Sequence, residues 1–179
     1  MNNTNAILRE RALKAAKRVE STENEHVREV VSFRLGNELY CIEAEAISEV
    51  CPFSQPTPLP HVPWYILGIV HMRGRFVSIV NLKSFLGIGN DDLSRTVLLL
   101  SDGEMEFGVS VDEVVDELRI SEKSIRMIPS GFNLPRSDFI LGVNEAGLIV
   151  LSGKKLLSDP DMRVHQEVVT TYKGRENVQ

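Results

Sequence analysis

Apolar and polar positions alternate along much of this chain with the period of two expected of strands that bury one face. Val31, Phe33 and Leu35 alternate with Ser32 and Arg34, Gly36-Asn37 makes a two-residue turn, and apolar character resumes over 39–42, which predicts a hairpin. Five of the eight prolines follow in a short stretch, Pro52, Pro56, Pro58, Pro60 and Pro63. Proline donates no backbone hydrogen bond, so this stretch is expected to be a stiff extended loop. A second hairpin is predicted over 65–70 and 76–80 around Arg73-Gly74-Arg75, and then a short helical turn over 81–86 closed by Gly87. The order then recurs. Strand 96–100, a turn at Asp102-Gly103 and strand 105–111 precede an irregular segment with Pro129 and Pro135, and a last hairpin over 139–151 turns at Glu145-Ala146-Gly147. The fold class expected from this pattern is all-β.

The start of the chain follows another rule. Ile7, Leu8, Ala12, Ala15, Ala16 and Val19 recur at three- and four-residue steps among Arg9, Arg11, Lys14, Lys17 and Arg18, which predicts a basic amphipathic helix within residues 1–25. Its alanines are too small for a membrane-surface helix. Docking on its own domain or on a partner is the reading these residues favour, with a frayed extension as the plain alternative.

Two patterns repeat in order. Tyr40-x-Ile42-x4-Ile47-x-Glu49 has a counterpart in Phe107-x-Val109-x4-Val114-x-Asp116, an offset of 107 − 40 = 67. Tyr65-Ile66-Leu67-Gly68-Ile69 has one in Phe139-Ile140-Leu141-Gly142-Val143, an offset of 139 − 65 = 74. Similar offsets predict two similar half-domains, roughly 26–90 and 91–158, within a unit spanning 26–165 and followed by a tail over 166–179. Each half is long enough for a five-stranded barrel but marginal alone, so a shared interface, possible exchange of strands and a groove between the halves are expected.

Composition narrows the function. A net charge of -5 disfavours a general nucleic-acid binder, because phosphate neutralisation needs a positive surface. No apolar run approaches the roughly 20 residues of a membrane span, and the opening residues lack the apolar core of a signal peptide, so a cytoplasmic location is expected. Cys41 and Cys51 have no second cysteine at metal-ligand spacing and are read as reduced thiols. His61, His71 and Cys51 fall in one region, yet no HxxxH, CxxC, phosphate loop or nucleophile elbow fixes a catalytic geometry. No catalytic residue, metal or cofactor is expected. One Trp and three scattered Tyr do not make the aromatic groove of a proline-peptide binder.

Leu35-Gly36-Asn37-Glu38-Leu39-Tyr40 followed by Ile47-Ser48-Glu49-Val50 resembles the opening of CheW domains. Leu59-Pro60 leading through 65–70 to Met72-Arg73-Gly74 resembles their central signature, and Gly108-Val109-Ser110-Val111-Asp112-Glu113-Val114 and Ile140-Leu141-Gly142-Val143 resemble their later segments. The resemblance covers about residues 28–158. It implies two SH3-like five-stranded β-barrels joined in one unit, without catalysis. It further implies a scaffold linking the cytoplasmic tip of chemoreceptors to a CheA-type histidine kinase. The residues that match receptor-contacting positions are Ile47, Glu49, Gly68, Arg73 and Gly108, and those that match kinase-contacting positions are Val50, Phe53, Thr57 and Phe132. The chain departs from the usual pattern at His71, Met72, Ser78, Asn81 and Ser152, which leaves open whether it serves chemotaxis or a pilus, gliding or other chemosensory array.

Each residue also has a plain structural reading. Arg73 is a guanidinium suited to an interface or a solvated turn arginine. Ile47 is an interface or a core residue. Glu49 pairs with a partner's cation or is solvated. Gly68 marks a bulge or a partner contact, and its repetition as Gly142 favours a bulge. Trp64 is read as a packing anchor against the prolines and strands.

Overall fold

A computed structural model of the chain describes residues 26–89, 94–128 and 136–162. The first half contributes β1 (Val27–Leu35), β2 (Glu38–Glu43), β3 (Ile47–Pro52), β4 (Ile66–Met72), β5 (Arg75–Asn81) and α1 (Leu82–Leu86). The second contributes β6 (Thr96–Ser101), β7 (Glu106–Val111), β8 (Glu113–Ser121), β9 (Ile140–Val143), β10 (Ile149–Leu151) and α2 (Gly153–Ser158).

One five-stranded sheet runs β8-β1-β2-β10-β9 and the other β3-β6-β7-β5-β4. If β1 to β5 are matched in order with β6 to β10, each sheet takes its first two strands from one repeat and its other three from the other. The pairings match as well: β2 lies parallel to β10 as β7 does to β5. In each sheet the segment that follows one outermost strand bridges to the other outermost strand, Thr57 after β3 to Ile69 of β4 and Arg126 after β8 to Val143 of β9. Each bridge has a reciprocal pair of backbone hydrogen bonds, at 2.8 and 2.9 Å for Thr57 and 2.9 Å twice for Arg126. These bridges curl each sheet back on itself into a barrel.

Strand exchange explains the apolar run over 97–100. Leu98 and Leu100 face a central core shared by the two sheets, together with Phe33, Ile42, Phe107 and Val109. Val97 and Leu99 face a second core inside one barrel with Phe53, Val70, Val77 and Ile79. The other barrel encloses Val30, Cys41, Ile120, Leu148 and Val150. A strand buried on both faces loses its polar alternation.

The two short helices pack where the barrels meet, through Leu82, Phe85 and Leu86 of α1 and Leu156 and Leu157 of α2. Asn81 accepts a hydrogen bond from the Ser84 amide at 3.1 Å, Gly87 closes α1 in the left-handed region at φ 69°, and Ser152 accepts from the Lys155 amide at 3.2 Å. Two of the departures from the family pattern therefore act as helix N-caps, a role Asn and Ser fill well.

Three local expectations are corrected. The span 113–121, read as the start of an irregular segment, is the nine-residue strand β8. Its Glu, Asp and Arg side chains mask the apolar alternation because much of the strand is solvent-facing. The proline-rich loop is extended as expected, but Thr57 within it belongs to a barrel seam. Trp64 is 73% exposed, with only an edge-on contact to Tyr65 at 5.7 Å. Tyr65 takes the core position against Phe85, and the turn at 64–65 that precedes β4 leaves Trp64 facing outward. The expected helix within 1–25, the tail over 166–179 and Phe132 lie outside the described residues.

Candidate functional site: the seam beside the β4–β5 hairpin

The β4–β5 turn consists of Arg73 and Gly74, both at positive φ, 49° and 78°. Positive φ at both central residues is the geometry of a tight hairpin turn whose twist suits the flanking strands. Arginine is not a usual occupant of the first position. From it the Arg73 guanidinium reaches across to Glu49 of β3 at 2.8 Å, and the arginine side chain is 76% exposed whereas that of Glu49 is 21% exposed. The pair spans the opening between β3 and the β4–β5 hairpin, beyond the Thr57 bridge.

Around this pair the expected site residues separate into two groups. Ile47 is partly buried against the central core, and Arg73 and Glu49 form the charged edge beside it. Val50 and Thr57 are exposed on the same side of the molecule's strand order, on β3 and in the seam that follows it. Gly68, Gly108 and Phe53 are buried. Gly68 sits at a bulge with φ 133°, and a Cβ there would lie 2.1 Å from the Thr57 carbonyl oxygen. A Cβ on Gly108 would lie 2.6 Å from Val97 Cγ2 and 2.7 Å from Ile79 Cδ1. Both glycines let neighbouring chain approach, and so shape the site from beneath it. Phe53 fills the barrel under the exposed Val50 and Thr57. Gly142 repeats the Gly68 arrangement, its missing Cβ facing the Arg126 carbonyl at 2.4 Å.

Cys51 is partly buried beside this seam, and its thiol pKa is raised by burial, with the Glu49 charge adding to the effect and Arg73 opposing it. Cys41 lies in the other barrel, where burial and then Glu43 push its pKa up to about 12. Both thiols are thus held protonated near neutral pH, the opposite of a nucleophilic cysteine. His71 packs its ring against Phe76 at 5.1 Å. Among the described residues no group of three or more His, Cys, Asp and Glu side chains is arranged to hold a metal ion, and no helix is long and apolar enough to cross a membrane.

A second polar arrangement ties the barrels together, one for which the sequence reading had no signal. Asp112 is the single residue by which the chain crosses from β7 in one sheet to β8 in the other. Its carboxylate accepts from Lys83 Nζ at 2.8 Å, from the Gly36 amide at 2.7 Å and from Ser94 Oγ. Burial alone raises the Asp112 pKa, but the hydrogen bonds from Lys83, Ser94 and Gly36 outweigh it and leave the pKa below the usual carboxylate value. A contact at a separation of 112 − 83 = 29 residues carries no sequence pattern of its own.

The CheW-like domain family matches residues 29–161, from β1 to just beyond α2, and so takes in both barrels and both crossings between them. The chain belongs to the CheW-like domain family. It is therefore a chemotaxis scaffold of a non-enzymatic kind. The chemotaxis protein CheW of Rhizobium meliloti (strain 1021) is 32% identical over 104 residues, 57% of this chain and 67% of that protein. CheW of Klebsiella aerogenes is 29% identical over 150 residues, covering 80% and 90%. Protein FrzA of Myxococcus xanthus is 30% identical over 142 residues, covering 75% and 88%. Among solved structures, the scaffolding protein TtCheW of Thermoanaerobacter tengcongensis superposes with a TM-score of 0.62 at 26% identity, over 69% of this chain and 88% of that one. For a CheW-like domain the surface that does the work is a protein-docking one, which fits a site made of an exposed arginine, exposed apolar strand residues and protonated thiols.

Proposed function

We propose that this chain couples the cytoplasmic tip of methyl-accepting chemoreceptors to the regulatory domain of a CheA-type histidine kinase, at receptor arrays in the cytoplasm. The unit that does so is the CheW-like domain within 26–165, its two halves acting together. The observation that carries the reading is the Arg73–Glu49 pair, which holds an exposed guanidinium at a hairpin tip beside Ile47. A planar, permanently charged group presented in this way suits recognition of partner carboxylates and carbonyls. In this reading Ile47, Glu49 and Arg73 meet the receptor, and Gly68 and Gly108 set the shape of that surface from below. Val50 and Thr57 meet the kinase, with Phe53 supporting them, and Phe132 is carried over as a kinase contact from the family resemblance alone. His71 and Met72, which depart from the family pattern just before the Arg73 turn, support a second reading in which the same scaffold serves another chemosensory array.

The test is titration of the chain with a receptor cytoplasmic fragment and, separately, with the kinase regulatory domain. Binding of both is expected with affinity on the order of tens of micromolar or tighter. Arg73→Glu is expected to weaken the receptor arm by about tenfold or more, through loss of one charge and repulsion at Glu49, while leaving the kinase arm and the melting temperature nearly unchanged. Absence of binding to both partners would sink the coupling role. A large drop in melting temperature would reassign Arg73 to the fold.

A further inference from the structure

The two repeats build two junctions between the barrels, and the junctions differ. In the first, Lys83 of α1 is buried, with its side chain 8% exposed, and its ammonium fills the space beside Asp112 and the β1–β2 turn at Gly36. The offset of 67 sets Glu45 opposite Asp112 and the β6–β7 turn at Asp102-Gly103 opposite Gly36, and matching the helix N-caps Asn81 and Ser152 sets Lys154 opposite Lys83 in the second junction. There Glu45 and Lys154 are exposed, and a groove of about 570 Å³ lies between the barrels, with Ala46, Leu141 and Leu157 along it. Arg28, Glu43 and Glu45 line this groove and also a larger one of about 1230 Å³ that runs on to Val27, Glu29, Arg119 and Glu122. Five carboxylates, Glu29, Glu43, Glu45, Asp102 and Glu122, face three cations, Arg28, Arg119 and Lys154. Arg28 is engaged by Glu122 at 2.7 Å and by Glu43 at 3.3 Å, and Arg119 by Glu29 at 2.7 Å. The surface is left acidic around Glu45.

The chain enters the described fold at this surface, because Val27, the first residue of β1, lines the larger groove. Residues 7–19 carry five basic side chains, Arg9, Arg11, Lys14, Lys17 and Arg18, against the single Glu10, with Ile7, Leu8 and Val19 spaced for one apolar stripe. Residues 20–26 join them to Val27, a tether that reaches at most about 25 Å. We propose that the occupant of the open junction is the chain's own segment 7–19, its basic side chains set against Glu29 and Glu45 and its apolar stripe against Ala46, Leu141 and Leu157. The first junction shows the mode, a basic side chain closing the space between the barrels beside a carboxylate. Tethering raises the effective concentration of the segment to the millimolar range, so modest contacts suffice to keep the junction filled. A segment held there borders Glu45 and Ala46, immediately before Ile47 on β3, and so stands at the edge of the surface assigned to the receptor. The docking itself does not depend on that assignment.

Amide hydrogen exchange of the full chain, followed by mass spectrometry on fragments within 7–19, tests the proposal without any partner. Wild type at 50 mM salt is compared with wild type at 500 mM salt and with the Glu29→Lys/Glu45→Lys variant. Exchange within 7–19 is expected to be about tenfold faster in the variant and to rise in wild type with salt. Exchange over β5 and β6 is expected to stay the same, which verifies that the variant is folded. Equal exchange within 7–19 in wild type and variant, whether fast or slow, overturns the proposal. So does protection that grows with protein concentration, which would make the occupant a second copy.

Discussion

At the scale of single residues, the glycines of the chain divide by what their missing side chains would meet. Gly36 and Gly74 have open space where a Cβ would stand, whereas at Gly68 the Thr57 carbonyl oxygen is 2.1 Å from that point and φ is 133°. Gly74→Ala should therefore cost about 1 kcal/mol, from positive φ alone. Gly68→Ala must also push the barrel seam apart and should cost about 3 kcal/mol or more. Urea denaturation of the two variants measures the difference, and equal losses would mean that the seam is soft. The same reading gives Trp64 a plain consequence: a ring 73% exposed contributes little to the fold. The sequence suggested otherwise because proline-rich loops often bury an aromatic ring, and the choice between Trp64 and its neighbour Tyr65 depended on how the turn before β4 orients them.

At the scale of elements, the crossings between sheets matter more than the hairpins. Asp112 forms one of them, and its pKa is depressed in the folded chain by Lys83, Ser94 and Gly36 acting against burial. A carboxylate depressed on folding contributes stability above its unfolded pKa, and that contribution is lost as pH falls through the lower folded value. Asp112→Asn should cost about 3 kcal/mol near neutral pH, since it leaves the buried Lys83 ammonium without its counter-charge. The gap from wild type should narrow as pH falls below the ordinary carboxylate value of about 4, where the unfolded chain takes up the proton before the folded one does. Denaturation at pH 7 and at pH 3 reads this directly, and a constant gap would show that the pair does not govern the crossing. Hairpins were legible because their turns carry local chemistry, Gly36-Asn37, Arg73-Gly74 and Asp102-Gly103 each between apolar runs. Strand β8 was not, since Glu113, Asp116, Glu117 and Arg119 obscure it and its partner β1 lies far back in the chain. Within the candidate site, Arg73 and Glu49 could be named from family resemblance, but that they pair with each other is a property of the seam. Gly108 and Phe53 were named for partner contact, and they lie inside a barrel because the glycine admits Val97 and Ile79 and the ring completes the apolar filling.

At the scale of the whole molecule, the repeat in the sequence and the sheets in space do not coincide. A boundary near residue 90 separates the repeats, yet each sheet takes strands from both sides of it, and the central core draws on both, with Phe33 and Phe85 from one and Phe107 and Phe139 from the other. Neither half can close its own barrel. Thermal unfolding should accordingly be a single transition, with backbone circular dichroism and the near-ultraviolet signal of the buried Tyr40 and Tyr65 giving the same midpoint. Two separated midpoints would show that the barrels melt independently.

Exchange of strands has a mechanical side too. The chain passes between the barrels twice, at 44–46 and at Asp112, where two beads on a string would be joined once. A pull on the β4–β5 tip is shared by both passages and is felt by sheet edges on opposite sides of the molecule. A bracket built this way resists twisting, and a displacement of one barrel reaches the other with little lost in bending.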